Sequence, residues 1–382
     1  MRINWTLAAL MGGLLLFFSA GVDASRTVTD LAGRSVTVPE RIERVVLGES
    51  RYIPALAILE GMAVADRLVG MLPDFEQTDP AGYAQYRDRF PALDDVARVG
   101  HTSADSFSLE TVLSMGADLA IFSLEGHGPA ARNRELIDRL ERAGVAVVFV
   151  DFRQDPLQNT PRSMALLGEV LDRRSRADQF NDFYRAELAR VTDIVGDIPQ
   201  QQWPDVFLHS RVGLHDSCCE TMVHGMMGRF IEASGGRNVA ADRIPGVSGV
   251  LNLEFLLTHQ PDHYLATAIG STLYSESDTA QPYVVLGAGV DESTARRSLA
   301  RAIERPGLRA LGAIQDKKAF AIWHHFYNTP LNVVAVQVLA RWFHPEAFAD
   351  LDPQHTLETF YRRFQPVELD GTYWVELRET SQ

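Results

Sequence analysis

The chain contains two cysteines, and they are adjacent, within Leu214-His215-Asp216-Ser217-Cys218-Cys219-Glu220. Side by side they can do one of two things. Oxidised, they close a tight ring that stiffens a loop and presents an apolar edge. As thiolates, with His215, they can hold a soft metal or haem iron. The lack of any other cysteine partner favours the disulfide. Three arginines, Arg51, Arg153 and Arg211, fall on loops at the ends of expected strands. A guanidinium fork binds carboxylates in bidentate fashion and stays charged at any relevant pH, so arginines facing one hollow would grip an anion. Surface ion pairing is the plain alternative in an arginine-rich chain. Tyr52, Phe152, His101, Trp323, His324 and Tyr327 lie on similar loops and would supply apolar walls and orienting hydrogen bonds. A lone histidine is more often structural than a ligand, and no direct metal ligand is assigned.

Enzyme signatures fail. Gly246-Val247-Ser248-Gly249-Val250 does not match a nucleophile elbow. Gly287-Ala288-Gly289 reaches no third glycine, and there is no phosphate loop. His259 and His263 have zinc-like spacing, but Pro261 between them argues against one helix presenting both. The expectation is a protein that binds without chemistry and carries no intrinsic cofactor. An exported hydrolase is the less favoured rival.

The elements that must position these residues alternate. After an expected hairpin over 26–39, strands are expected at 44–47, 68–72, 119–122 and 145–150, with helices after Tyr52, after Ser108 and over 133–143. The pattern restarts with strands at 206–208, 264–269 and 319–323 and helices over 226–234, 253–258, 297–304 and 331–343. Such alternation implies an α/β fold with mainly parallel sheets flanked by helices, whose ligands sit beyond the carboxyl ends of the strands. Between the halves, Asn159 to Ile198 reads as helical. Met164, Leu167 and Leu171 share one face, followed by Ala177, Phe180, Tyr184, Leu188, Val191 and Val195. A break is expected near Asp172, with Ser175 and Asp178 as a capping box. The second piece would span roughly 30 Å, a strut between two lobes.

At 382 residues the chain exceeds the size at which one core usually stops growing, so two lobes are expected. A net charge of −14 argues against nucleic acid or an anionic membrane surface as partner. Arg2, the apolar run Leu7 to Phe18 and the small-residue site Val22-Asp23-Ala24 read as an export signal, and no later apolar run is long enough to span a bilayer. Export to an oxidising compartment also favours the disulfide. The expected division is a signal over 1–24, an N-terminal lobe over 25–158, the helical segment 159–198 and a C-terminal lobe over 199–382.

Several stretches follow one another along the chain: Val28-Thr29-Asp30-Leu31-Ala32-Gly33-Arg34 with Arg44-Val45-Val46, Ser108-Leu109-Glu110-Thr111-Val112-Leu113 with Ala117-Asp118-Leu119, and Leu166-Leu167-Gly168. Phe230-Ile231-Glu232-Ala233-Ser234-Gly235-Gly236 and Pro306-Gly307-Leu308 come after them. Each motif is weak, but their order covers nearly all of the chain after the signal. Together they resemble the helical-backbone substrate-binding proteins of the ABC importers for iron-siderophores, haem and cobalamin. The resemblance implies a monomeric periplasmic receptor that holds a ferric siderophore or related iron chelate between its lobes and delivers it to an inner-membrane permease. Haem or a corrinoid is the alternative ligand. It also implies that Glu110 and Glu232, by motif position, meet arginines of the permease. A helix-surface charge near a favourable dipole is the plain reading of Glu110.

Overall fold

The computed structural model describes residues 25–101, 103–213, 218–269 and 282–377. The first strands, β1 Ser25–Thr29 and β2 Ser35–Pro39, form the expected antiparallel hairpin. Asp30 Oδ1 closes the turn by accepting from the amides of Ala32 and Arg34, at 3.0 and 2.9 Å. Next come β3 Val45–Leu47, β4 Leu68–Met71, β5 Ala97–Arg98, β6 Leu119–Ser123 and β7 Ala146–Val150. They form one parallel sheet in the order β5-β4-β3-β6-β7. β3, β6 and β7 are buried along their whole length, as uninterrupted apolar runs covered on both faces must be.

The second half contains β8 Asp205–His209, β9 Glu220–Met222, β10 Arg237–Asn238, β11 Ser248–Val250, β12 His263–Ala268, β13 Ala319–Trp323 and β14 Trp374–Glu376. Its main sheet runs β10-β8-β12-β13-β14, parallel except for the last strand, while β9 and β11 pair separately. In both sheets the strand order reverses direction in the middle, between β3 and β6 and between β8 and β12. Loops leaving adjacent strands at such a point diverge and open a crevice. The two crevices are therefore bounded by the loops after β3 and β6 in one lobe and after β8 and β12 in the other.

The connecting segment is two helices, Pro156–Val170 and Arg174–Asp197. The first starts three residues before the expected point and tolerates Pro161 within its second turn. The break falls where expected, with Asp172 at φ 59°. The expected capping box is absent: Arg173 precedes the second helix, no side chain caps it, and the Arg176 and Ala177 amides bond the Arg173 carbonyl instead. Gly168 allows the two helices to meet, because a Cβ there would lie 2.4 Å from that of Ala177.

The long helix is more than a strut. Its Tyr184 hydroxyl donates to Asn332 Oδ1 at 2.7 Å, and Asn332 Nδ2 donates to Thr160 Oγ1 at 2.9 Å. The C-terminal helix Pro353–Phe364, which the sequence reading did not anticipate, also reaches across. Just beyond it, Gln365 donates to the Pro54 carbonyl at 3.0 Å and accepts from the Tyr86 hydroxyl at 2.7 Å. The expected helical connection between the two halves is present, and packing on several further elements reinforces it. Among the described residues no helix is long and apolar enough to cross a membrane.

Phe180 sits at the middle of this joint, fully buried, with ring centroids 5.8, 6.2 and 5.7 Å from those of Tyr184, Phe360 and Phe364. Phe180→Ala is expected to cost about 3–5 kcal/mol through the lost ring and the cavity left behind. Urea denaturation would register it as a lowered midpoint, whereas Asp178→Ala on the exposed face should leave the midpoint nearly unchanged.

Candidate functional site

The loop after β3 begins Gly48-Glu49-Ser50-Arg51-Tyr52, and its charged side chains turn inward. Arg51 is 4% exposed. Its Nη2 donates to Glu49 Oε2 and its Nε to Asp74 Oδ2, each at 2.8 Å. Asp74, on the loop after β4, also accepts from the Ser50 amide at 2.7 Å and hydroxyl at 3.0 Å. The loop after β6 closes over Glu49. There the His127 amide donates to Glu49 Oε1 at 3.1 Å, and a Cβ at Gly126 would fall 1.7 Å from the same oxygen. A side chain there would push the Glu49 carboxylate out of its place.

After β7, Asp151 organises the turn that presents Arg153. Its Oδ1 accepts from the amides of Arg153 and Gln154, at 2.9 and 2.7 Å, and its Oδ2 from the Asp155 amide and Asn159 Nδ2, at 3.0 and 2.7 Å. Arg153 Nη2 then reaches Glu49 Oε2 at 3.4 Å. The Arg153 backbone is pinned from the other lobe by the Met226 amide, 2.8 Å from its carbonyl.

The second lobe meets this cluster with the turn after β13. Tyr327 places its hydroxyl 3.5 Å from Arg51 Nη1 and its ring 5.4 Å beneath the Arg153 guanidinium. Asn328 Nδ2 donates to Glu49 Oε2 at 3.5 Å. His324 Nδ1 lies 2.9 Å from Thr267 Oγ1, which also accepts from the Arg211 amide at 2.8 Å. Arg211 pairs with Glu220, next to the disulfide-bonded Cys218 and Cys219. Loops from the carboxyl ends of both sheets therefore converge on one seam.

Electrostatics follow from burial among guanidiniums. Burial opposes charge on Glu49, but Arg153 and Arg51 outweigh it and hold the carboxyl below its usual range. Burial pushes Asp74 up, against the pull of Arg51. Burial also opposes ionisation of Tyr327, yet Arg153 and Arg51 bring its phenol below the ordinary value. The histidines are kept neutral. Burial, with Arg51 and Arg153, lowers His127 to about 4, and burial with Arg51 lowers His325 to about 3. Burial takes His324 well down too.

Of the residues singled out in the sequence, Arg51, Arg153, His324 and Tyr327 meet here, and Arg211 joins through Thr267. Tyr52 and Phe152 pack on each other, ring centroids 5.5 Å apart, in the buried core behind the loops. His101 is exposed, and its recorded bond, from its amide to Ser106 Oγ at 2.9 Å, stays within its own loop. His215 lies outside the described residues. Cys218 and Cys219 are joined as a vicinal disulfide. Glu110 and Glu232 are both exposed on their helices, Leu109–Ser114 and Gly228–Ala233. Glu49, Asp74, His127 and Asn328 were not anticipated. For Glu49 the signal was available, an acid two residues before an arginine in a strand-end loop.

Several buried polar atoms on this seam have no hydrogen-bond partner among the described residues: Arg153 Nε, His325 Nδ1 and Asn328 Oδ1. Such atoms each cost about 1–3 kcal/mol unless something satisfies them. The seam therefore holds a donor and two acceptors whose hydrogen-bonding capacity is unfilled among the described residues. Among the described residues, no group of three or more His, Cys, Asp or Glu side chains is placed to hold a metal ion.

No family model matches the chain. It is 22% identical over 379 residues to the molybdate-binding protein MolA of Haemophilus influenzae, across 93% of this chain and 95% of that protein. Among solved structures it is similar to the TroA-like periplasmic binding protein FepB of Veillonella parvula. That match has a TM-score of 0.79 and 22% identity, and covers 92% of this chain and 99% of that one. The Haemophilus influenzae MolA bound to molybdate superposes with a TM-score of 0.67 and 18% identity, over 91% of this chain and 99% of the other. Helicobacter pylori CeuE with bound Ni(II) gives a TM-score of 0.64 and 12% identity, over 90% and 97%. The fold is that of the helical-backbone periplasmic binding proteins. The relatives named here are binding proteins, not enzymes.

Acid should loosen the molecule. His127 and His263 are held down to about 4, and His209 and His325 to about 3, all chiefly by burial. In the unfolded chain each would titrate near 6.5. As pH falls through 6.5 the unfolded state takes up these protons first, so stability should drop from there to about pH 4. Asp79, raised by burial to about 6, and Asp74, also pushed up by burial, work in the opposite sense, but with His324 included they are two groups against five histidines. Urea midpoints at pH 7, 6 and 5 should fall in that order, and a flat series would refute the assignment.

Proposed function

We propose that this protein is a periplasmic solute-binding protein of an ABC importer, and that its ligand is an anionic metal species held at the seam between the lobes. The observation that carries the reading is Arg153. It is a buried guanidinium stacked on Tyr327 from the opposite lobe, and its Nε is left unpartnered there. A carboxylate, catecholate or oxo ligand would complete its hydrogen bonding, and bringing the lobes together would exclude water around it.

Within that class the first reading is a ferric siderophore or related iron chelate, supported by the ordered motifs along the chain and by the likeness to FepB. A compact oxyanion is the second. It is favoured by the close approach of Arg51 to Tyr327 and of Glu49 to Asn328, each 3.5 Å, and by the likeness to MolA. Haem, the other ligand considered, would announce itself by a Soret band on mixing with the apoprotein.

Native mass spectrometry of protein purified from iron-starved cells, followed by calorimetry with the retained solute, tests the proposal. A bound metal-containing anion is expected, with Arg153→Gln weakening it about 10- to 100-fold, the value of one charge-assisted hydrogen bond at about 1.5–3 kcal/mol. Affinity unchanged in that variant would reject the pocket. The permease is proposed to read Glu110 and Glu232. Glu110→Arg or Glu232→Arg should therefore leave solute affinity intact while lowering uptake by the reconstituted importer. Loss of solute binding instead would mean that the replaced glutamate belongs to the ligand site.

A further inference from the structure

We infer that Glu49 sets the charge of the ligand this site accepts, so that of two anions with the same shape the less highly charged one is preferred. The inference rests on the anion-receptor reading above and assigns a specificity role to a residue which that reading leaves aside.

The geometry places Glu49 at the centre of the seam. Its Oε2 takes donors from three residues: Arg51 Nη2 at 2.8 Å, Arg153 Nη2 at 3.4 Å and, from the other lobe, Asn328 Nδ2 at 3.5 Å. Its Oε1 takes the His127 amide. The side chain is fully buried, and its carboxylate lies against the bare backbone of Gly126. Arg51 is already balanced by Asp74, so Glu49 is the counter-charge that Arg153 meets. Farther out, Arg211 is matched by Glu220. The histidines facing the seam, His127, His324 and His325, are held neutral and add no positive charge.

Two guanidiniums therefore face two carboxylates before any ligand arrives. An anion approaching Arg153 must share it with Glu49 and is repelled by that carboxylate at low effective dielectric, where charge is screened poorly. Each further negative charge on the ligand meets the same repulsion, with no additional unmatched cation at the seam among the described residues to offset it. Replacing Glu49 by a neutral amide of the same shape would release one guanidinium and remove the penalty. Adding a carboxylate at Asn328, 3.5 Å from Glu49, would increase it. A merely structural Glu49, needed only to pack the loops, would change affinity without regard to ligand charge.

The test is calorimetry on the wild type, Glu49→Gln and Asn328→Asp with two probe pairs. The pairs are molybdate against perrhenate, tetrahedral oxyanions of charge two and one, and a ferric tris-catecholate against a neutral ferric tris-hydroxamate. For whichever pair the wild type binds, Glu49→Gln is expected to raise the ratio of affinities, more charged over less charged, by about tenfold or more, and Asn328→Asp to lower it. Equal changes for both members of the pair in both variants would overturn the inference while leaving the receptor reading standing. If the wild type binds no member of either pair, the anion-receptor reading falls, and this inference with it. Should Glu49→Gln fail to fold, the direction of the shift in Asn328→Asp decides alone.

Discussion

The site depends on the burial of Glu49, Arg51, Asp74 and Arg153 within a few ångströms of one another at the meeting point of two lobes. Removing four charges from water is expensive, and their mutual attraction generally offsets that cost only when the remaining hydrogen-bonding capacity is satisfied as well. Most of it is. Asp74 takes the amide and hydroxyl of Ser50, and Glu49 takes the His127 amide. Among the four charged groups of the described residues the exception is Arg153 Nε, and Asn328 Oδ1 beside it is likewise unpartnered. A network satisfied at most of its atoms contributes little to net stability and a great deal to orientation. That combination suits recognition, because the ligand completes a set of hydrogen bonds whose geometry is fixed before it arrives.

Topology explains why such a network lies between these loops. Each sheet reverses its strand order once, and each reversal opens a crevice at the carboxyl edge. Glu49 and Gly126 flank the first reversal, following β3 and β6. Arg211, following β8, and Thr267, near the carboxyl end of β12, flank the second. Facing the two crevices toward each other needs a connection that is short on flexibility. It comes from helix Arg174–Asp197, wedged by Phe180 against the C-terminal helix, and from Asn332, which ties Tyr184 to Thr160. Relative movement of the lobes must strain several packed contacts at once, so the expected motion is small.

Much of the scaffold was legible because its signals are local. β6, β7 and β13 are short runs of buried apolar residues and were placed within a residue or two from hydrophobicity alone. The break at Asp172 was expected from a capping box at Ser175 and Asp178; the break is there and the box is not. The helix Pro353–Phe364 was equally readable, with Leu357, Phe360, Tyr361 and Phe364 spaced for one buried face behind an Asp352 cap, and passed unnoticed. The site was legible only in part, for a physical reason. Arginines advertise anion binding by type, but whether their charge is free depends on acids brought alongside by the fold. Asp74 lies more than twenty residues from Arg51 and reaches it only because β3 and β4 are parallel neighbours. Asn328 comes from the other half of the chain. The capping box at Ser175 failed for a related reason: the tight turn at Asp172 supplies backbone acceptors, so no side-chain cap is required.

The second lobe offers a different kind of rigidity. Arg211 has positive φ, its amide is held by Thr267, and its guanidinium is held by Glu220 on β9. β9 in turn pairs with β11, and the Cys219 carbonyl takes the Leu251 amide just beyond that pair. The vicinal disulfide thus sits at the root of the strand that carries the partner of Arg211. Ordering a residue costs about 1–2 kcal/mol of backbone entropy, and a covalent ring there removes part of that cost before any ligand binds. The two lobes consequently prepare their arginines by different means. The first uses buried carboxylates that fix position and cancel charge, and the second pairs Arg211 with Glu220 on a strand next to the disulfide while leaving Arg211 about one-third exposed. On the proposed reading, a ligand entering the seam would meet a partly solvated guanidinium on one side and a desolvated one on the other, and its charge would be weighed on the desolvated side.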